Sequence, residues 1–327
     1  MGKKDGRITI KEIAVESGFS VQAVSLALRG KKEIPERTRQ KIEEIAEKMG
    51  YIKNYSASIL KSGRSQTIAV VYSSTINPWV TIMVDCMQRA FDSFGFRIML
   101  YNQQSQILDQ DMFMNIISRN IDGIVTFLEP VEGVLPLSIQ YKKPILLLGV
   151  KSRIQNLDCI FVDDIMGGEI AAQALVDKGC QQFLFIGYNT NNNSQIKCES
   201  FHTKLDQLGL RTNQLDLDNT TTDEAIKTYF EQNSPKDLGI FCFNDITALE
   251  VLAVLQEQNI EGNIKIIGYD DIQSTIRMPD RLTTIGSDKM QMAQVAAEVI
   301  AFKVNNPQKF DKVFRKEQSV YLVQGKQ

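Results

Sequence analysis

The chain has 327 residues, 43% of them hydrophobic and 23% charged, and a net charge of −2. That length holds two or three domains and a sizeable core, and the balance is that of an ordinary water-soluble protein. No apolar run reaches the roughly 20 residues of a bilayer span, and the start "MGKKDGRITIKEIA" lacks the apolar stretch of an export signal, so a cytoplasmic location is expected. Cys86, Cys159, Cys180, Cys198 and Cys242 are scattered without metal-site spacing and read as reduced core thiols. The charge is divided unevenly. Residues 1–64 carry 14 Lys+Arg against 8 Asp+Glu, whereas the remainder carries 23 against 31. A small basic head on an acidic body leads us to expect that only the head meets a polyanion.

The first expected elements lie in "ITIKEIAVESGFSVQAVSLALRG", residues 8–30. Thr9 suits the N-cap of a helix whose Ile10, Ile13, Ala14 and Ser17 share one face. Gly18 stops that helix where a left-handed residue is needed, and Phe19 plugs into the core. Ser20 caps a second helix that turns Val24, Ala27 and Leu28 inward and leaves Val21, Gln22, Ser25, Leu26 and Arg29 outside. In a third, "PERTRQKIEEIAEKMG", Pro35 suits the first turn, and Ile42, Ile45, Ala46 and Met49 form the stripe. Two helices joined at a glycine turn and braced by a third make a helix-turn-helix, whose second helix enters the DNA major groove. Gln22 can hold an adenine edge with two hydrogen bonds, and Val21 can touch a thymine methyl. Ser20, Ser25 and Thr38 can hold phosphates, and Thr9, Leu26 and Arg29 complete the DNA-facing set in this region. The alternative is a bundle that binds nothing, against which the basic charge weighs.

Residues 54–62 are small, helix-compatible and too few for a stable helix alone. Leu60 has no evident core to enter, and Lys61 and Arg64 flank it. The segment reads either as a plain linker or as a hinge that becomes helical beside its twin on DNA. In the hinge reading Leu60 wedges into the minor groove, and Asn54, Ala57 and Lys61 are further contacts. "TIKEIAVESGFSVQAVSLALRGKKEIPERTRQKI" followed by "GYIKNYSASILKSG" resembles the lactose-repressor/galactose-repressor family of bacterial transcription regulators. The resemblance runs over essentially the full length. It implies a helix-turn-helix, a hinge helix and a body related to periplasmic sugar-binding proteins. Three residues depart from the family pattern: Leu26 in place of a common base-reading arginine, Arg29 in place of asparagine, and Lys53 in place of the hinge proline.

From residue 67 the pattern alternates. Strand-like runs are "TIAVVY", "FRIMLY", "GIVTFL", "PILLLG", "QFLFIGY", "LGIFCFND" and "IKIIGYDD", with helical stretches at 79–94, 107–120, 165–178 and 246–257 among them. Such alternation means parallel sheets wrapped by helices, here in two halves. Ligands of open parallel sheets sit beyond the carboxyl ends of the strands. That singles out Ser73, Ser74, Asn77, Glu129, Asn189, Asn244–Asp245 and Asp270–Asp271, with the sole tryptophan, Trp79, beside Asn77. Amides, carboxylates and an aromatic plate suit a small polyhydroxylated ligand. Asn244, Asp245 and Asp270 also suit helix caps, and one residue can do both jobs. The resemblance places Asn244 and Asp270 in the cleft, Asn77 and Trp79 on its other wall, and Lys197 where the family commonly has a sugar-binding arginine. Ser200 takes the place of the glycine that follows it. A lysine at this place is similar to the gluconate-repressor branch.

The expected architecture is therefore an all-α helix-turn-helix domain (residues 1–52), a hinge helix and linker (53–65), and an α/β body of two parallel-sheet subdomains (66–327). The chain is expected to cross between them, giving 66–161 plus 289–318 in one and 162–288 plus 319–327 in the other. The effector-binding candidates are Ser73, Asn77, Trp79, Glu129, Lys197, Asn244 and Asp270. No nucleotide loop or metal spacing occurs, and His202 is the single histidine, so neither an enzyme nor a cofactor is expected. The partners expected are operator DNA, a sugar or sugar-acid effector and a second copy of the chain, with no membrane. The rival is a solute-binding protein of a transport system. The missing export signal and the basic head count against it, and the ending "YLVQGKQ" has no heptad tail for a tetramer.

Overall fold

In the computed structural model, which describes residues 8–30, 33–52, 64–73, 77–233, 235–276, 281–310 and 312–325, the chain divides into Met1–Ser65 and Gln66–Gln327. The first unit holds α1 (Ile10–Ser17), α2 (Val21–Ala27) and α3 (Glu36–Lys48). Thr9 and Glu12 close a reciprocal capping box on α1, and Gly18 ends it at φ 70°. The Ser20 hydroxyl accepts from the Ala23 amide at 3.1 Å, which starts α2 only three residues later. Ile13, Val24, Ala27 and Ile42 are fully buried where the helices meet, and Phe19 packs on them from the turn. Pro35 stands one step earlier than expected, as the N-cap of α3, because its ψ of 141° is extended.

In the second unit the chain first lays down β1 (Thr67–Tyr72), α4 (Pro78–Ser93), β2 (Arg97–Asn102) and β3 (Ile107–Leu108). Then come α5 (Gln110–Ile117), β4 (Gly123–Thr126), β5 (Glu129–Pro130), α6 (Val134–Tyr141), β6 (Ile145–Gly149) and β7 (Asp158–Val162). The next stretch gives α7 (Asp164–Asp177), β8 (Gln182–Gly187), α8 (Asn192–Gln207), β9 (Thr212–Asp216) and α9 (Thr222–Gln232). The rest is β10 (Leu238–Cys242), α10 (Asp245–Glu257), β11 (Ile264–Tyr269), β12 (Thr283–Ser287), α11 (Lys289–Asn305), β13 (Arg315–Gln318) and β14 (Val320–Val323). The helix expected over 107–120 is shorter. Ile107 and Leu108 pair with Glu129 and Pro130, and the Asp109 carboxylate caps α5 through the Met112 amide.

Two sheets result. One runs β13-β7-β6-β4-β1-β2, parallel throughout; the other runs β14-β12-β11-β10-β8-β9, with β14 alone antiparallel. Helices cover both faces of each sheet, so both sides of the central strands are buried. Ile68 and Val70 of β1 join the core with α4 and α11, while Ala69 and Val71 join that with α5. Phe183 and Phe185 of β8 likewise pack on the α7 side, and Leu184 and Ile186 on the α10 side. Strands buried on both faces read as unbroken apolar runs. The chain passes from one sheet to the other after β7, after β12 and at Ser319, the one residue between β13 and β14.

Candidate DNA interface and ligand cleft

On α2, burial of Val24 and Ala27 forces the intervening side chains outward. Val21, Gln22 and Arg29 are exposed, and Ser25 and Leu26 are partly so. Ser20 and Thr9 are exposed at the starts of their helices, with their side chains engaged as caps, and Thr38 is half-buried in the first turn of α3. Arg29 folds back, its Nε donating to the Ser25 carbonyl at 2.8 Å, which satisfies a free carbonyl at the end of α2. The arrangement presents a narrow polar helix on a small core. Asn54, Ala57, Leu60 and Lys61 lie outside the described residues.

Each sheet reverses its direction of growth once, between β1 and β4 and between β8 and β10. The carboxyl ends at these reversals converge with those of β6, β7, β11 and β12 on a cavity of about 160 Å³. Asn77 caps α4 by accepting from the Trp79 amide at 2.9 Å, and its Nδ2 crosses the cavity to Asp270 Oδ2 at 3.3 Å. Trp79 stacks edge-on against Phe127 at 5.5 Å between centroids. Its ring lies over Gly149, where φ is 90° and a Cβ would sit 2.7 Å from the ring; only glycine satisfies both conditions. Asn193 Nδ2 donates to the Gly149 carbonyl at 3.3 Å, a second tie between the lobes. A larger hollow of about 650 Å³ lies by the amino ends of β6 and β7. Its buried charges, Asp158 and Lys303, are engaged with each other at 2.6 Å, so it is the smaller cavity that gathers convergent polar groups.

Lys197 projects into this cavity from α8 and is only 4% exposed. Its ammonium lies 3.7 Å from Asp164 Oδ1, donates to the Phe243 carbonyl at 3.3 Å, and sits 3.5 Å from the centre of the Tyr269 ring. Burial pushes the Asp164 carboxyl above the usual range, with the Lys197 charge pulling it back. Burial likewise raises Asp270 to about 6 against the pull of Lys197 and Asn77. Asp245, buried under the cleft, rises to about 7 while accepting from the Thr284 hydroxyl and the Ile272 amide.

Of the sequence candidates, Asn77, Trp79, Lys197 and Asp270 line the cavity; Ser73, Glu129 and Asn244 do not. Ser73 is half-buried at the end of β1. Glu129 accepts from Ser152 at 2.6 Å in the outer β3–β5 pair, because Thr126 turns the chain with bonds to Leu128 and leaves Phe127 as the lining residue. Asn244 is a cap, accepting from the Thr247 amide at 2.9 Å, and Phe243 lines the wall instead. Asn189 donates its side-chain amide to Asp216. The lining residues that sequence reasoning missed include Asp164, Tyr269 and Phe127. Tyr269 directly precedes Asp270, and Asp164 follows β7, "DCIFV", a run whose carboxyl end was open to the same inspection. All five cysteines are free and buried. Cys198 is pushed up to about 12 and His202 down, both by burial, so their 3.5 Å contact joins two neutral groups.

Residues 9–54 match "Bacterial regulatory proteins, lacI family", and residues 65–322 match "Periplasmic binding proteins and sugar binding domain of LacI family". The chain belongs to the LacI family. One LacI-family relative is the HTH-type transcriptional repressor PurR of Photobacterium profundum, 21% identical over 94% of this chain and 95% of that protein. Another, the ribose operon repressor of Lactococcus lactis subsp. lactis, is 26% identical over 93% of each. The structure of the Lac repressor dimer bound to operator and the anti-inducer ONPF superposes with a TM-score of 0.80 at 20% identity, covering 98% of each chain. A Cβ on Gly168 of α7 would run into the Ser200 hydroxyl, so α7 and α8 approach closely at this point.

Proposed function

We propose that this chain is a transcriptional repressor that binds a pseudo-palindromic operator as a homodimer, under control of a small carbohydrate-class effector. The observation that carries this reading is the Asn77–Asp270 hydrogen bond. It spans the cavity from α4 in one lobe to the end of β11 in the other, so a ligand that engages Asp270 competes with it. Such a ligand binds two lobe arrangements unequally and thereby shifts the population competent for DNA. The segment before residue 64 passes this change to the head. Operator readout falls to Gln22 and Val21, with Ser25, Leu26 and Arg29 beside them.

The second copy has a surface to meet. Strand β2 is a sheet edge whose Met99 and Leu100 are 41% and 48% exposed, with the apolar Phe94 exposed just before it. Uncovered apolar edges of this kind invite pairing. The chain acts by exchanging hydrogen bonds rather than by turnover, and in the cytoplasm, where the DNA is. The test is selection from a random duplex pool with the full chain, followed by gel shifts across a salt series. An inverted-repeat consensus and a linear fall of log affinity with log salt are expected. Failure to select any sequence, or affinity indifferent to salt, refutes the reading.

A further inference from the structure

The lysine at position 197 invites the expectation that the effector carries a carboxylate. The cavity argues the reverse. The Lys197 ammonium is enclosed by groups of its own chain: Asp164 Oδ1 at 3.7 Å, the Phe243 carbonyl at 3.3 Å, and the rings of Tyr269 and Phe243 at 3.5 and 4.7 Å. Asp164 is itself buried, and its backbone sits in the first turn of α7, which is held against α8 by the Gly168–Ser200 contact. Both partners are almost wholly buried, at 4% and 7% exposure, so the fold encloses the pair and a ligand meets it already formed. On the far side Asp270 adds a second carboxylate.

We propose that the cleft selects an uncharged monosaccharide and rejects sugar acids, with Asp164 as the specificity-determining residue because it occupies the only cation lining the cavity among the described residues. This rests on the reading of the cleft as an effector site. An anionic ligand reaching Lys197 meets Asp164 already in place and Asp270 opposite, and like charges at such spacing disfavour one another. A neutral sugar meets acceptors at Asp270, a donor at Asn77 and the ring face of Trp79. Size points the same way. The cavity of about 160 Å³ lies well below the ~300–1,000 Å³ of sites for drug-sized ligands, which leaves room for one sugar ring.

The experiment is isothermal calorimetry on the full chain with neutral aldoses (D-ribose, D-xylose, D-glucose, D-galactose) and the matching aldonates. The wild type is expected to bind at least one aldose and to take its aldonate at least about tenfold more weakly. Asp164→Asn keeps the shape, removes the charge and frees the ammonium, so the aldonate-to-aldose affinity ratio is expected to rise by about tenfold or more. Asp164→Asn/Lys197→Met leaves neither charge in place, so its aldonate-to-aldose affinity ratio is expected to show none of the rise seen with Asp164→Asn; a rise equal to that of the single variant overturns the proposal. An aldonate that binds wild type as tightly as its aldose overturns the proposal, and so does a ratio unchanged by Asp164→Asn. Gel shifts on a selected operator, run in parallel, separate the two readings. A chain that binds DNA but no aldose refutes only the proposal about the cleft, whereas a chain that binds no DNA refutes the repressor reading itself.

Discussion

Replacing Lys303 by methionine should cost the body much of its stability. Lys303 Nζ lies 2.6 Å from Asp158 Oδ2, with the two side chains 7% and 4% exposed. The ammonium also donates to the Phe310 carbonyl at 3.1 Å, and Asp158 Oδ1 accepts from the Phe314 amide at 2.8 Å. These bonds fasten the chain's return from α11 into β13 at the sheet edge. Lys303→Met leaves a buried carboxylate with one backbone donor, and breaking such a pair costs about 3–5 kcal/mol. With a urea slope of about 3 kcal/mol/M, that lowers the midpoint by about 1–2 M.

The loss should also depend on pH. Burial already holds Asp158 above the ordinary carboxylate range, and Lys303 is what pulls it back. Without the lysine the native state keeps a proton that the unfolded chain has released. Stability therefore falls as pH rises through that window, and the deficit is larger near pH 8 than near pH 5. Adding Asp158→Asn should recover most of the loss and flatten the pH dependence. Urea unfolding followed by circular dichroism at the two pH values measures all three proteins. A deficit below about 1 kcal/mol at both would put the pair in the class of exposed ion pairs and refute the reasoning.

Gly168→Ala should lower the melting temperature, since its Cβ would lie 2.7 Å from the Lys197 carbonyl and 2.9 Å from the Phe201 amide, backbone atoms that cannot step aside. About 1–3 kcal/mol is expected by thermal denaturation, and an unchanged melt would mean that α7 and α8 separate freely. Asp245 rises to about 7 in the folded chain, so between about pH 4 and 7 the native state holds the extra proton and stability declines with rising pH. Asp245→Asn should gain on wild type near pH 8 relative to pH 5 in chemical denaturation; an equal difference at both pH values counts against it. Gln22→Ala should relax base preference at one position in each half-site, by about 1–3 kcal/mol, and an unaltered selected consensus would remove Gln22 from the readout.

Much of this molecule is legible from neighbouring residues alone. Capping by Thr9 and Ser20, the stop at Gly18 and the inward face of α2 all depend on groups within four positions of one another, and helix periodicity reports such neighbours directly. The parallel sheets are equally visible, because strands such as "TIAVVY" and "PILLLG" are apolar on both faces. The sequence motifs also lead to Asn77 and Asp270.

What only the tertiary structure decided is which polar groups remain available. Asn244 stands in a motif like that of Asp270, yet it caps α10 outside the cavity while Phe243 lines the wall, and Glu129 accepts from Ser152 in an outer strand pair. Lys197 lies in "SQIKCESF", a segment whose only acid is Glu199. Its partner is Asp164, 33 positions away and brought within reach by the packing of α7 on α8. A side chain's charge is written in the sequence. Whether that charge is available to a ligand depends on what the fold places within about 4 Å of it, because Coulomb attraction and desolvation act over that distance in space however far apart the residues lie along the chain.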